Sequence, residues 1–265
     1  MISMQEEFIS SKQNAKVKNW RKLKTAKGRK QQGLYMIEGE HLIEEAVRSG
    51  VYLEAIILNE TYEGAYPTGF STYRLAAHVF ESLAETDSPQ GILAILGAQS
   101  RFNAAEDFQQ LLAKPGDAIN RWLLVDGVQD PGNLGTIIRT ADAAGYRGVV
   151  LGTGTVDLYN DKVLRSTQGS HWHIEVVELP IETAMQTLQG AGIPVLATAL
   201  HREARDYRTL DYAAGAPLAL VVGNEGQGVQ AKLIEQANLS VFIPMPGQAE
   251  SLNVAVATGI LLFAL

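Results

Sequence analysis

The second half of the chain keeps a regular rhythm. Apolar runs at residues 122–125, 148–151, 174–177, 194–198, 218–222 and 241–243 alternate with stretches whose apolar residues recur every three or four positions. The runs predict strands; the intervening 133–144, 160–166, 181–188, 229–237 and 251–265 predict helices. A continuous run such as Trp122-Leu123-Leu124-Val125 suits a strand buried on both faces. Strand and helix in alternation predict a parallel sheet covered by helices on both sides. Ligands of such sheets sit at the carboxyl ends of strands, which singles out the loops after Val125, Thr198, Val222 and Ile243.

The first half is shorter in rhythm. Val17, Trp20 and Leu23 mark one basic helix over 14–26, closed by Gly28. Strands at 34–37, 55–58 and 92–96 and helices at 40–49 and 77–84 complete a small α/β unit. Residues 97–116 lose the pattern, so the expected organisation is a domain over 1–100, a linker over 101–118 and a second domain over 119–265.

Composition changes this picture in two places. The chain has no cysteine, no membrane-length apolar stretch and a polar start without a secretory signal, so a cytoplasmic protein without disulfides or thiolate metal sites is expected. The net charge of −7 argues against nucleic acid. Its distribution argues the other way: Lys12, Lys16, Lys18, Arg21, Lys22, Lys24, Lys27, Arg29 and Lys30 follow one another with no acid among them. Such a run is a solvated face or a phosphate-binding one.

The loops carry the chemistry. After Val125 the chain reads Asp126-Gly127-Val128-Gln129-Asp130-Pro131-Gly132-Asn133, without the Lys-Ser/Thr pair of a phosphate loop or a GxGxxG. Asp130-Pro131-Gly132 predicts a tight turn, with Asn133 as the helix cap. A plain strand-to-helix joint leaves Arg139 unexplained, and a guanidinium there suits a grip on phosphate or carboxylate. After Val222, three glycines between Gly223 and Gly228 let backbone approach a ligand closely. Glu225 among them favours a neutral or cationic ligand, or else caps the following helix. Pro244 and Pro246 lack amide donors, so the loop after Ile243 offers carbonyl acceptors suited to an adenine amino group or a sulfonium. Ser251 or Asn253 caps the last helix, and both are site candidates. His171 and His173 alternate as on one side of a strand; with no third ligand in view, packing or RNA contact is expected rather than metal.

Three stretches, DGVQDPGNLGTIIRTADAAG, LALVVGNEGQGV and IPMPGQAESLNVAVATG, stand in order at strand ends. With the basic start and KVLRSTQGSHWHIEV, they resemble the SpoU/TrmH family of RNA ribose 2′-O-methyltransferases, in the SPOUT superfamily. The resemblance covers nearly the whole chain. It implies a trefoil-knotted parallel-sheet domain preceded by a small L30e-like α/β domain that binds the RNA substrate. Composition does not show a knot, since knots are nearly absent from proteins. It further implies S-adenosylmethionine bound in the knot and a homodimer with composite active sites. By position, Asn133, Arg139, Glu225, Ser251 and Asn253 match the family's catalytic motif residues. Gly223, Ile243 and Leu252 match positions whose backbone holds the cofactor, and Thr198 and Met245 are expected to line the same pocket. Lys12, Lys16, Lys18, Arg21, Lys22, Arg29 and Arg165 are the expected RNA contacts.

The family proposal makes the Arg139 position a general base. A guanidinium is always protonated, so the expectation here is a clamp on phosphate that also stabilises developing alkoxide charge, with Glu225 holding the arginine or its loop. The accessory domain looks ribosomal, which points to 23S ribosomal RNA. Transfer RNA is the alternative substrate. A non-catalytic RNA-binding protein of the same fold is the other alternative, disfavoured by the joint presence of all five polar residues.

Overall fold

The computed structural model describes residues 6–98, 105–114, 119–200, 203–212 and 215–265. Residues up to 98 form one compact unit together with Asp157–Trp172, and the remainder forms a second.

The first unit runs β1 (Glu7–Ile9), α1 (Ala15–Lys22), α2 (Ala26–Gln32), β2 (Leu34–Glu38), α3 (Glu40–Arg48), β3 (Leu53–Asn59), β4 (Thr72–Leu75), α4 (Ala77–Glu81) and β5 (Ile92–Gly97). Its sheet has the order β1-β4-β3-β5-β2, with β5 antiparallel to both its neighbours and β1 and β3 parallel to β4. One face buries Val17, Trp20, Val79 and Phe80 against Ile57, Leu93 and Ile95. The other buries Leu42, Ile43 and Ala46 against Tyr35, Ile37, Ile56 and Leu58.

The basic segment is two helices rather than one. Thr25 starts α2 by accepting from the Gly28 amide at 3.1 Å, and left-handed Gly33, not Gly28, ends it. Gly28 serves a different need: a Cβ there would lie 1.9 Å from the Lys22 carbonyl oxygen, so only glycine lets α2 fold back on the end of α1.

The second unit runs α5 (Ala105–Ala113), β6 (Ile119–Asp126), α6 (Pro131–Ala143) and β7 (Tyr146–Leu151). The chain then passes through α7 (Asp161–Thr167) and a short 3₁₀ turn (Ser170–Trp172) and returns as β8 (Glu175–Glu178), α8 (Ile181–Gly190) and β9 (Val195–Thr198). It ends with β10 (Arg205–Asp206), a 3₁₀ turn (Tyr207–Thr209), β11 (Leu218–Gly223), α9 (Ala231–Gln236), β12 (Leu239–Phe242) and α10 (Val254–Ala264). The sheet is parallel throughout, in the order β10-β12-β9-β11-β6-β7-β8. On one face, Phe108, Leu111, Met185, Leu188 and Leu233 bury Trp122, Leu124, Val195 and Val221. On the other lie α6 and α10, packed on each other.

Two boundaries differ from the sequence expectation. Within the expected linker, 101–104 and 115–118 lie outside the described residues, but the middle is α5, whose Phe108 and Leu111 are buried in the second unit. Asp157–Trp172, expected in the second domain, belongs to the first unit. Tyr159 stacks on Tyr35 with ring centroids 4.2 Å apart, Trp172 donates to the Tyr35 hydroxyl at 3.1 Å, and Leu164 is buried beside Ile37. His171 and His173 share no strand face. His171 is buried against Thr167, whose Oγ1 is 2.9 Å from its Nδ1, while exposed His173 meets Asp142 at 2.9 Å. Among the described residues no cluster suited to a metal ion occurs.

Candidate active site

The four loops singled out by the sequence follow β6, β11, β9 and β12, which are neighbours in the sheet, so their ends converge. At the ends of three of them, β9, β11 and β12, lies a cavity of about 650 Å³. Thr198, Gly223, Ile243, Met245 and Leu252, the expected cofactor residues, all line it, as do Glu225, Ser251 and Asn253. Asn133 and Arg139 do not.

Why the loops hold their shape is legible bond by bond. Asp126 closes β6, is 3% exposed, and accepts from both the backbone and the side-chain nitrogen of Gln230 at 2.9 and 2.6 Å. That fixes the start of α9. Asn224 and Gly228 exchange both backbone hydrogen bonds, at 3.1 and 2.9 Å, and pinch the glycine loop shut. The Asn224 side chain donates to the Gly127 carbonyl at 2.8 Å and accepts from the amides of Gly226 and Gln227 at 2.9 and 3.2 Å. Asp126, Asn224 and Gln230 were not among the expected residues. The signal available for Asp126 was a lone carboxylate ending the apolar run Trp122-Leu123-Leu124-Val125.

Glu225 does not cap the helix after it; the N-cap of α9 is Gln230. Its carboxylate instead accepts from the amides of Gln129 and Asp130 at 3.3 and 3.1 Å and from Asn133 Nδ2 at 3.0 Å. Burial pushes its pKa up, but these hydrogen bonds together outweigh burial and hold it below the usual carboxylate range. Glu225 therefore holds the first loop, as expected, but not Arg139.

Asn133 is free for this because it is not the cap. Asp130 caps α6 by accepting from the Asn133 amide at 2.8 Å, with Pro131 at the first helical position. Asn133 Oδ1 then accepts from Asn253 Nδ2 at 2.9 Å. Asn253, rather than Ser251, caps α10. Ser251 is exposed at the cavity rim. Arg139 is exposed on α6 and makes no hydrogen bond or ion pair among the described residues.

The lining fits S-adenosylmethionine. Among the described residues it contains no lysine or arginine and a single carboxylate, Glu225. Its walls are Val222, Ile243, Met245, Leu252 and Leu261, crossed by the peptide groups of Gly223, Gly226 and Gly228. Apolar walls with carbonyl acceptors accept an adenine and a sulfonium, and repel a phosphate tail.

The expected RNA contacts divide. Lys12 and Lys18 are exposed without ion pairs among the described residues, and Lys22 is exposed with its ammonium 3.2 Å from Asn19 Oδ1. Lys16 pairs with Glu7 at 2.5 Å and lies 4.5 Å over the Tyr73 ring; Arg21 donates to Ser82 at 3.0 Å. Arg165 pairs with Asp161 at 2.5 Å. Arg29 is not an RNA contact. It is 8% exposed, and its guanidinium is turned inward, donating to Asp157 at 2.6 and 3.0 Å and to the Leu23 carbonyl at 2.8 Å.

Comparison with known proteins agrees with this geometry. The model of the SpoU rRNA Methylase family matches residues 120–263, and that of the MRM3-like substrate binding domain matches residues 14–94. The chain is 44% identical to the 23S rRNA (guanosine(2553)-2′-O)-methyltransferase RlmP of Bacillus subtilis, over 97% of this chain and 98% of that protein. It superimposes on the AdoMet-bound rRNA methyltransferase from Sinorhizobium meliloti with a TM-score of 0.83 and 32% identity, covering 97% of this chain and 96% of that one. The SpoU methyltransferase AviRb from Streptomyces viridochromogenes, in complex with AdoMet, superimposes with a TM-score of 0.79 and 25% identity, over 95% and 97% of the two chains. The chain belongs to the SpoU rRNA Methylase family.

Proposed function

We propose that the protein methylates a ribose 2′-hydroxyl of 23S ribosomal RNA, with S-adenosylmethionine as donor. The observation that carries this reading is the cavity at the adjacent ends of β9, β11 and β12, lined by every expected cofactor residue and by Glu225 and Asn253, both of which hydrogen-bond to Asn133. The relative that methylates guanosine 2553 of 23S rRNA is similar over nearly all of both chains, which favours the corresponding guanosine here. The test is reconstitution with the donor and unmodified 23S and transfer RNA transcripts, followed by mapping of 2′-O-methyl groups. One modified guanosine in the 23S transcript is expected; modification confined to transfer RNA would overturn the assignment.

When bound, S-adenosylmethionine would supply a sulfonium-activated methyl group, whose carbon bonds to the ribose oxygen in line as the carbon–sulfur bond breaks, leaving a neutral thioether and releasing the hydroxyl proton. The protein's task is to align that oxygen and stabilise its developing charge. Glu225 and Asn253 fix Asn133 at the cavity rim, where its carboxamide orients the ribose. Arg139 grips the adjacent phosphate and stabilises the alkoxide as the proton leaves to water. Arg139→Lys and Arg139→Ala compared across pH decide its role. Restored turnover in the lysine variant, following lysine's own titration, would establish a base instead.

Arg139 does not line the cavity of its own chain, which favours a homodimer with composite sites in which a second copy supplies it. The exposed apolar residues of α10, Val256 (54%) and Phe263 (67%), on the helix packed against α6, support this reading. Sedimentation of the purified protein tests it, with a monomer at micromolar concentration as the contrary result. A trefoil knot is supported by the sheet order, in which β12 lies between β9 and β10, both of which precede it in the chain. The first unit, with its sheet sandwiched between helices and its exposed lysines on α1, serves as the L30e-like RNA-binding domain. Among the described residues no helix is long and apolar enough to cross a membrane, and we assign the reaction to the cytoplasm, where ribosomal RNA matures.

A further inference from the structure

Outside the three signature stretches, the segment between β9 and β11 carries exposed charge that the reaction has not absorbed. β10 lies at the sheet edge, with Arg205 opposite Val241 and Asp206 opposite Phe242. Val241 is opposite Thr198, on the α10 side of the sheet, since the preceding Ala197 faces the α8 core; both Val241 and Thr198 line the cavity. Paired residues of parallel strands share a face, so Arg205 lies on that same face, one strand further out. It is exposed, and the neighbouring Tyr212 feels its charge.

The second unit is otherwise poor in available cations. Acidic side chains outnumber basic ones among its described residues. Arg121 is buried and donates to the carbonyls of Ala216 and Leu265. Arg147 is held by the carbonyls of Leu111, Leu112 and Lys114. Arg208 is paired with Asp206 at 2.6 Å and Lys232 with Glu182 at 3.0 Å. Lys114 ends α5, which packs on α8 across the sheet from α10. Arg139 and Arg205 are therefore the cations without ion pairs, among the described residues, on the cavity face. An acidic body that handles a polyanion must draw it in through the few positive groups it leaves free.

We propose that Arg205 is a second phosphate contact for the substrate RNA, at the rim of the methyl-donor cavity. The proposal rests on the reading of that cavity as the donor site. Arg205 holds the strand that carries the target ribose from the side opposite the glycine loop, and Arg139 of a second copy holds it beside the reacting hydroxyl. The two grips set the register of the target nucleotide over the cavity without reading its base.

The test uses the full-length protein and its Arg205→Ala, Arg205→Lys and Arg208→Ala variants. Donor affinity is read by calorimetry with S-adenosylmethionine, and RNA affinity by binding of an unmodified 23S transcript over a series of salt concentrations. Arg205→Ala is expected to weaken RNA binding about tenfold at low salt and to reduce the slope of log affinity against log salt by about one. Arg205→Lys keeps the slope. Arg208→Ala, whose charge is already neutralised by Asp206, changes RNA affinity less than about twofold. Donor affinity is the same in all four proteins. A loss of donor affinity in Arg205→Ala overturns the proposal and assigns the guanidinium to the donor's carboxylate. An unchanged salt slope in Arg205→Ala also overturns it. Failure of the wild-type protein to bind the donor would show, apart from any Arg205 result, that the cavity reading itself is wrong.

Discussion

Asn253 donates from its side-chain nitrogen to the Asn133 oxygen at 2.9 Å, across 120 positions of sequence. The oxygen of the same carboxamide accepts from the amides of Ala255 and Val256 at 2.9 and 3.3 Å, so one side chain both caps α10 and ties the third signature loop to the first. The two duties separate by substitution. Asn253→Ser keeps a capping oxygen but is too short for the bridge; Asn253→Ala loses both. The alanine variant is expected to lose about 1 kcal/mol of stability and the serine variant far less. Both are expected to lose roughly ten- to a hundredfold in turnover, because Asn133 is no longer held at the rim. Chemical denaturation and methyl-transfer rates read the two effects. Full activity in Asn253→Ser would remove the bridge from the mechanism.

Glu225 carries a pH signature. Burial raises its pKa, and the hydrogen bonds from Asn133 and the loop amides more than reverse this, leaving it lowered in the folded protein. A carboxyl with a lower pKa folded than unfolded stabilises the fold in full above its unfolded value, about 4.3, and loses that contribution as pH falls through the folded value. The stability difference between wild type and Glu225→Gln should therefore be flat from pH 7 to about 5 and close in more acid solution. Urea denaturation at several pH values measures it. A difference that closes as pH rises would mean that the carboxyl is held protonated.

The parallel sheet was legible because its central strands are buried on both faces: Leu218–Gly223 has no exposed position, and a run without polar interruption admits few other readings. The strands of the first unit were harder. β1 is three residues long, and β4, Thr72–Leu75, has a single fully buried side chain, so neither leaves an apolar run to see. The loops were located correctly because strand ends can be counted, and most polar residues of the site follow from them. Which polar group caps which helix was not legible. Asp130 and Asn133 are both good caps, and only the distance to Glu225 and Asn253, fixed by the fold, decides between them. Charge was misleading for the same reason. Arg29 sits in a basic run, yet its partner Asp157 is 128 positions away, beyond the reach of any local pattern.

That ion pair makes a prediction opposite to the one a basic run invites. Arg29→Ala leaves the Asp157 carboxylate and the Leu23 carbonyl short of partners in a largely buried place, at a cost of about 3 kcal/mol. Arg29→Lys recovers only part, since an ammonium does not span the fork. The salt slope of RNA binding, measured on the folded fraction, should stay that of wild type in both. Lys18→Ala should do the reverse, leaving the melt alone and reducing the slope by about one. A reduced slope in Arg29→Lys would return Arg29 to the RNA surface.

Gly223 and Gly226 lie three residues apart in one loop and should respond differently to the same added methyl group. A Cβ on Gly223 would meet the carbonyl carbon of Gly228 and the nitrogen of Val229 at 2.1 Å. Those are backbone atoms, so the loop itself must move. Moving it breaks the paired bonds between Asn224 and Gly228 and loosens the hold of Glu225 on Asn133. Gly223→Ala is therefore expected to lose about 1–3 kcal/mol of stability. It should also bind S-adenosylmethionine at least about a hundredfold more weakly, since the cavity wall is that backbone. A Cβ on Gly226 meets only Asn224 Oδ1, at 3.6 Å, an ordinary contact, so Gly226→Ala should melt like the wild type and bind the donor within about threefold. Calorimetry and thermal melts of the two variants decide the matter. If both bound the donor equally well, the glycine loop would be a structural turn and the donor would rest on other walls.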